Sequence, residues 1–303
     1  MNFKVIILGS GAAIPLLSRN PSAQVVNVKE HLYLLDCAEG TQLQLRRNQV
    51  RMQRINHIFI SHLHGDHYYG LMGLVTTFHL LGRKESLHVY AHPDLEKIIH
   101  LHLDTSKTIL QYPLLFHGID PNENTMIHQD KFVTVTTIPL EHNFPACGFL
   151  IREKQAKRNI RKEFLTDKSL SPIDYRRIKN GEDYEDEHGD IHANGDITLP
   201  PRKPRAYAYC SDTAYSEAII PVIRDVDLLY HEATFMENRA ADAAAKFHST
   251  ARQAALIASK AGVQRLIIGH YSARYKTLDD MLAEAKEVFP DTMLAEDGLS
   301  FEL

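Results

Sequence analysis

Four potential metal ligands fall within six residues in the stretch Ser61-His62-Leu63-His64-Gly65-Asp66-His67. His62 and His64 are two apart, so in extended chain both project to the same side. Gly65 permits a turn, after which Asp66 and His67 offer a carboxylate and a third imidazole. Such a cluster can give two imidazoles to one cation while the carboxylate and the third imidazole face a second. Imidazole and carboxylate without thiolate favour zinc, manganese or iron. The plain alternative is a polar strand end with solvated histidines. Four ligand groups at this spacing argue against it.

The flanking sequence says how the cluster is positioned. The apolar run 58–60 reads as a buried strand and 68–82 as a helix. The cluster then lies at the carboxyl end of a strand, where α/β folds place their chemistry. The segment 132–140 alternates as a half-buried strand does and delivers His142, a third imidazole for the first cation. A strand over 205–210 delivers Asp212. Two cations ~3.5–4 Å apart need an anion between them, and Asp212 is the candidate bridge. Its structural alternative is the N-cap of a helix over 215–224.

The rest of the chain reads as alternating strands and helices. Strands are expected over 3–8, 31–36, 87–92, 227–230 and 266–269. Helices are expected over 42–48, over 93–107 with Pro93 at its start, over 251–261 capped by Ser249 or Thr250, and over 278–289, with a structural tail to 303. Asp36 either orients a ligand histidine or caps the helix 42–48. His100 and His102 sit in no ligand pattern and read as surface or packing residues. Gly9-Ser10-Gly11 follows the first strand, but Ile14 replaces the third glycine of a dinucleotide fingerprint and Pro15 would fall inside its helix. A dinucleotide site is therefore not expected.

Composition sets outer limits. The chain has 303 residues, enough for a large core in one or two domains. No apolar run reaches the ~18 residues of a membrane span, and the N-terminus enters a strand without signal-peptide organisation. Three scattered cysteines, Cys37, Cys147 and Cys210, suit a reducing cytoplasm. The net charge of −4 argues mildly against a generic nucleic-acid binder, so any RNA contact needs a local basic patch or the metal site. The 18 histidines are many for this length, and several should be ligands or acid–base groups.

Residues 152–204 break the pattern. Residues 152–179 hold ten Lys/Arg against four Asp/Glu, and residues 182–196 hold seven Asp/Glu and no Lys/Arg. With little apolar periodicity this reads as an insertion rather than a core element. It is either a solvated loop or an arm whose basic half grips phosphates and gains from counterion release.

The His-x-His-x-Asp-His pattern resembles the signature of the metallo-β-lactamase superfamily. Further segments are similar to its ribonuclease Z family, the tRNA 3′-processing endonucleases. They are the loop 9–22 with Pro15, Arg19, Asn20 and Ser22, and the turn Asp36-Cys37-Ala38-Glu39-Gly40-Thr41-Gln42. Beyond these come the loops His231-Glu232-Ala233-Thr234-Phe235 and Lys246-Phe247-His248-Ser249-Thr250, and the run His270-Tyr271-Ser272-Ala273-Arg274-Tyr275. The likeness runs through 3–150 and 205–275, nearly three quarters of the chain. The run 175–182 resembles the hairpin of that family's tRNA-binding arm. One departure is Pro200-Pro201-Arg202-Lys203-Pro204, where Pro204 stands in place of a glycine thought to help handle the tRNA 3′ end.

The resemblance implies an α/β fold, the four-layer αβ/βα sandwich, as a single domain over 1–303 with a flexible arm inserted at 152–204. It implies two Zn2+ per subunit, with manganese or iron as alternatives. His62, His64, His142 and Asp212 would hold the first ion, and Asp66, His67, His270 and the shared Asp212 the second. The ions would acidify a bridging water, Asp66 could accept its proton, and His248 would protonate the leaving ribose 3′ oxygen with Glu232 holding it. The partner would be precursor tRNA, cut to leave a 3′ hydroxyl. A homodimer in the cytoplasm, with no membrane attachment, is expected. Two other readings compete. One is a binuclear-metal phosphodiesterase acting on small or other nucleic-acid diesters. The other is a non-catalytic RNA-binding protein with structural metals, against which the full ligand set and His248 argue.

Overall fold

The computed structural model describes residues 2–167 and 170–303. Met1, and Lys168 and Ser169 in the basic half of the insertion, lie outside the described residues. Residues 1–152 and 205–303 form one compact unit, and residues 153–204 form another.

In the first unit, strand alternation decides which side chains meet. Val5 and Ile7 face one way on the strand Phe3–Gly9, while Leu8 faces the other. On Ala206–Cys210, Tyr207 and Tyr209 face one way and Ala206, Ala208 and Cys210 the other. Each sheet therefore has two apolar faces and must be covered on both. The result is two seven-stranded mixed sheets. The first runs Ser300–Glu302, Phe3–Gly9, Ala23–Val28, His31–Leu35, Ile55–Phe59, Leu87–Ala91, Leu114–Gly118. The second runs Thr292–Leu294, Leu266–Gly269, Leu228–Glu232, Ala206–Cys210, Ala146–Glu153, Val133–Leu140, Met126–Gln129. A middle core joins the inner faces through Phe3, Tyr33, Phe59, Phe149, Tyr207 and Tyr230. The helices Thr41–Arg47, Gly70–Leu80 and Asp94–Thr105 cover the outside of the first sheet. Ala251–Ala261 and Asp279–Lys286 cover the second. This is the four-layer arrangement expected from the sequence.

Several elements depart from the sequence reading. The strands Leu114–Gly118, Met126–Gln129, Thr292–Leu294 and Ser300–Glu302 were not anticipated. They are short and lie at sheet edges, where half-exposed residues blur the alternation. The buried strand Ala146–Glu153 also lacks a period-2 signal, because both its faces are covered. In place of a helix over 215–224 there is a 3₁₀ turn, Glu217–Ile219, and a four-residue helix, Ile220–Ile223. Their N-caps are Ser216 and Ile219, so Asp212 caps neither. In the Gly9 loop, a Cβ on Gly9 would stand 1.7 Å from the Pro21 carbonyl oxygen. That glycine serves close backbone approach rather than a cofactor. Cys37, Cys147 and Cys210 are free and buried, and among the described residues no helix is long and apolar enough to cross a membrane.

The second unit carries more structure than its composition suggests. Ile160, Ile178 and Ile197 form a small core with Phe164, Leu170 and Tyr184. The run 175–182 is not a hairpin. Most of it lies in the helix Pro172–Lys179, started by Pro172 and by Ser171, whose side chain accepts from Asp174 N. The buried Asn194 ties the carbonyls of Ile178 and Glu182 together through its amide. The chain leaves the first unit next to where it returns, since Arg152 and Ala206 are paired across neighbouring antiparallel strands.

One edge of the first unit is lined by imidazoles. His57, His88 and His117 stand on Ile55–Phe59, Leu87–Ala91 and Leu114–Gly118, and His128 packs on them from Met126–Gln129. Ring centroids are 5.0 Å apart for His57 and His88, and 4.2 Å for His57 and His128. Asp130 faces them, 3.6 Å from His128 Nε2, and accepts from the Tyr33 hydroxyl. Burial first, then the charges of His128 and His88, press His57 down to about 3. In the unfolded chain a histidine titrates near 6.5. As pH falls the unfolded state therefore takes up this proton first. The stability tied to neutral His57 is intact above about 6.5 and lost as pH drops toward 3. The wild type should lose about 1–2 kcal/mol more than a His57→Asn variant between pH 7 and pH 5, read from urea unfolding. Parallel losses in the two proteins would remove His57 from the acid response.

Candidate active site

The strand Ile55–Phe59 ends in buried apolar residues, and the chain then turns into the short helix Gly65–Tyr68. His64 is its N-cap in extended conformation, and Asp66 lies in its first turn. The helix N-terminus favours the Asp66 charge, and Ala13 N donates to Asp66 Oδ2 at 2.7 Å. His142 arrives after Val133–Leu140, Asp212 after Ala206–Cys210 and His270 after Leu266–Gly269. Gly269 lets Tyr230 pass, since a Cβ there would stand 2.3 Å from the Tyr230 hydroxyl.

These side chains converge in two groups. His62, His64, His142 and Asp212 bring one donor atom each within 4.8 Å of one another, and so do Asp66, His67 and His270. Asp212 joins the groups through different oxygens. Its Oδ2 lies 3.8 Å from His62 Nε2 and 4.0 Å from His142 Nε2. Its Oδ1 lies 3.3 Å from His67 Nε2 and 3.2 Å from His270 Nε2. Asp66 Oδ2 lies 3.6 and 3.5 Å from the same two nitrogens. The structure thus brings together all seven residues singled out as ligands in the sequence.

The donor set fits cations. His67 Nε2 and His270 Nε2 are buried with no hydrogen-bond partner. Burial, followed by the charge of His67, holds His62 well below the ordinary histidine range. Burial likewise lowers His64 and His142, so their lone pairs are free at neutral pH. Burial opposes ionisation of Asp212, yet His270 and His67 hold its carboxyl well below the usual range. Burial also opposes a charge on His67, but Asp212, Asp36 and Asp66 raise it well above its ordinary value. Buried anions beside neutral His62, His64 and His142 make the electrostatics a divalent ion requires, and an ion would take the place of the proton that the same anions hold on His67.

The far nitrogen of most of these rings is also held, which fixes ring orientation. His67 Nδ1 donates to Asp36 Oδ2 at 2.8 Å. Asp36 also accepts from Ser61 N and Oγ and from the Tyr209 hydroxyl. Of the two readings open in the sequence, Asp36 therefore takes the orienting one. The helix Thr41–Arg47 has Gly40 at its N-cap with no side-chain cap. His142 Nδ1 donates to the Phe247 carbonyl at 3.0 Å. His270 Nδ1 lies 2.9 Å from Thr234 Oγ1, which itself donates to Glu232. His62 Nδ1 lies 3.1 Å from Ser61 Oγ. Asp36, Phe247 and His270 all adopt left-handed backbone, at φ 54°, 56° and 60°, a conformation that clusters at functional sites.

Opposite the two groups stands His248. Its Nδ1 is 2.8 Å from Glu232 Oε1, and its ring centroid is 5.4 Å from that of His142 and 5.5 Å from that of His270. Glu232 is fully buried. It accepts from Thr213 N, Ser249 N, Thr234 N and Thr234 Oγ1. Burial lowers His248, but the Glu232 carboxylate outweighs it and brings the group to about 9. His248 is therefore cationic at neutral pH and opens onto a cavity of about 420 Å³ shared with His64, Asp66, His142 and His270. Sequence reasoning missed Ser61, Thr234, Tyr209 and the Phe247 carbonyl. Nothing in a lone hydroxyl or a main-chain oxygen signals such a role. Helix Ala251–Ala261 is capped by Thr250 in a capping box with Gln253, while Ser249 Oγ donates to the Thr213 carbonyl.

Comparison with known proteins places this site in context. A family profile described as Anti-Pycsar protein Apyc1 matches residues 3–180. It stops before Asp212, Glu232, His248 and His270. Ribonuclease Z of Bacteroides fragilis is 45% identical over 301 residues, covering 99% of each chain. Ribonuclease Z of Porphyromonas gingivalis is 44% identical, again covering 99% of each. Among solved structures, the short form of human tRNase Z superposes with a TM-score of 0.71 at 24% identity, covering 98% of each chain. A metallo-β-lactamase fold protein from Bacillus subtilis gives 0.70 at 19%, covering all of both chains.

Asp36→Asn keeps the shape but removes the charge that faces His67 Nδ1. Metal affinity should fall ~10–100-fold, read as metal retained through gel filtration against graded chelator. Unchanged retention would mean that the ring is oriented without this carboxylate.

Proposed function

The chain belongs to the ribonuclease Z family, whose members match it end to end, and from that membership we propose how its residues carry out the reaction. The protein is a metal-dependent endoribonuclease that hydrolyses phosphodiester bonds in the 3′ processing of tRNA. It acts on precursor tRNA, and we infer that it leaves a 3′ hydroxyl on the tRNA and a 5′ phosphate on the trailer.

Two zinc ions per subunit are the proposed cofactors. His62, His64, His142 and Asp212 would hold one, and Asp66, His67, His270 and the shared Asp212 would hold the other. When bound, such ions polarise the phosphate and acidify a water for in-line attack. Asp66 takes up the proton of the attacking water. His248 donates its proton to the leaving ribose oxygen, Glu232 orients the ring through Nδ1 and favours its charged form, and solvent in the cavity returns the proton. The observation that carries this assignment is the His248–Glu232 contact of 2.8 Å, with His248 opening onto the cavity that the ligand groups line. A metal cluster alone would suit many hydrolases. A histidine held cationic beside it suits a reaction whose leaving group is a poorly acidic alkoxide.

The unit 153–204 is proposed to grip the body of the tRNA, its basic half contacting phosphates. Arg161, Lys162 and Arg176 of that half are exposed. Family membership also supports a homodimer, and the three free cysteines support a reducing, cytoplasmic setting.

Two experiments test this reading. His248→Ala should lower the turnover of a 3′-extended precursor by ~10²–10⁴-fold while metal content stays at the wild-type level; a loss below tenfold would remove His248 as the acid. Replacing 153–204 with a short turn between residues 152 and 205 should collapse precursor cleavage and spare hydrolysis of a small chromogenic diester. If precursor cleavage survives the deletion, the unit is not the tRNA grip.

A further inference from the structure

Four of the protein's histidines form an array outside the catalytic cavity that the reaction does not use. His57, His88 and His117 lie on three successive strands of the first sheet, and His128 closes over them from the second. Buried histidine nitrogens without a partner mark the catalytic ligands His67 and His270, and the same feature recurs here at His57 Nδ1 and His128 Nε2. His88 Nδ1 and His117 Nε2 are hydrogen-bonded to each other at 2.9 Å, so one of them carries the shared proton, which an ion bound between them would displace. Two imidazole nitrogens each ~2.0–2.1 Å from one zinc-sized ion stand ~2.9–3.4 Å apart when their angle lies between square and tetrahedral. The spacing is therefore already that of adjacent ligands on one ion.

We propose that His88 and His117 form an accessory chelating site for one divalent transition-metal ion, separate from the catalytic pair, with water filling the remaining positions. Imidazole donors without thiolate suit copper, nickel and zinc, and copper binds most tightly in that series. Burial first, then His117 and His128, keeps His88 below the ordinary histidine range, and burial followed by His128 does the same for His117. Both rings are thus neutral ligands at pH 7. Two fixed charges act on the array. The Arg83 guanidinium bears on His88 and is engaged by the carbonyls of Glu85 and Ser86 and by Asn56 Oδ1. The Asp130 carboxylate faces His128 and favours a cation. Leu114–Gly118 is the edge strand of its sheet and His117 is half-buried, so the ion enters from solvent. Once bound it cross-links the edge strand to Leu87–Ala91.

The test uses full-length protein already loaded with zinc and confirmed active on precursor tRNA. Cu(II) is added, free ion is removed by gel filtration, and copper and zinc are counted by mass spectrometry for the wild type, His88→Gln and His117→Gln. The wild type should retain one copper equivalent more than either variant, with zinc unchanged and nitrogen hyperfine structure in its EPR spectrum. Its thermal midpoint should rise with added Cu(II) while those of the variants do not, because an ion that binds only the folded state stabilises it. Equal copper in all three proteins, or a loss confined to one variant, would overturn the paired site.

Discussion

A carboxylate with no access to solvent holds the catalytic end of this molecule in register. Asp36 ends the strand His31–Leu35 of the first sheet. It accepts from the main chain and side chain of Ser61, from His67 and from the hydroxyl of Tyr209, which comes from the second sheet. An ionised group stripped of water is tolerated only when its lone pairs are saturated. Four donors saturate this one, and they come from both halves of the sandwich. The separation of the sheets at this point and the direction of His67 are therefore one geometric fact. Glu232 repeats the arrangement on the second sheet, with donors from Thr213, Thr234, Ser249 and His248. Two buried anions, each fully coordinated by hydrogen bonds, let imidazoles stand in fixed poses that loops alone would not maintain.

The legibility of the site in the sequence follows from this. The candidate ligand groups were readable because they sit at strand ends with chemically distinctive side chains, and His62, Asp212 and His270 meet although their loops lie far apart in the chain. The orienting groups were not readable. Ser61 and Thr234 act through hydroxyls and Phe247 through a carbonyl, atoms that every loop offers. Asp36 had two equal readings, since a strand-end carboxylate before a helix is as good a cap as it is an orienter. Only the positive φ at Asp36 and the three-dimensional donor set separate them.

The fold shows the same division. Long buried strands such as Phe3–Gly9 and the capped helix Ala251–Ala261 announce themselves through periodicity and end signals. Edge strands do not, because one row of their hydrogen bonds and part of their side chains face water. The helix expected over 215–224 shrank to a turn and Ile220–Ile223, with Pro221 within its first turn. In 153–204 the charges dominate the composition and hide three isoleucines spaced too far apart to form a pattern, yet these are enough for a small core.

The way that insertion leaves and rejoins the sheet has an evolutionary corollary. Arg152 and Ala206 face each other across adjacent antiparallel strands, so the whole segment hangs from what would otherwise be a hairpin turn. A cassette placed there can lengthen, shorten or be exchanged between lineages in one genetic event. The strand register on either side and the residues of the site then stay as they are. The inserted unit and the sheet that carries the site can accordingly drift on separate clocks, with the hairpin ends as the natural seam for grafting one protein's inserted unit onto another's sheet.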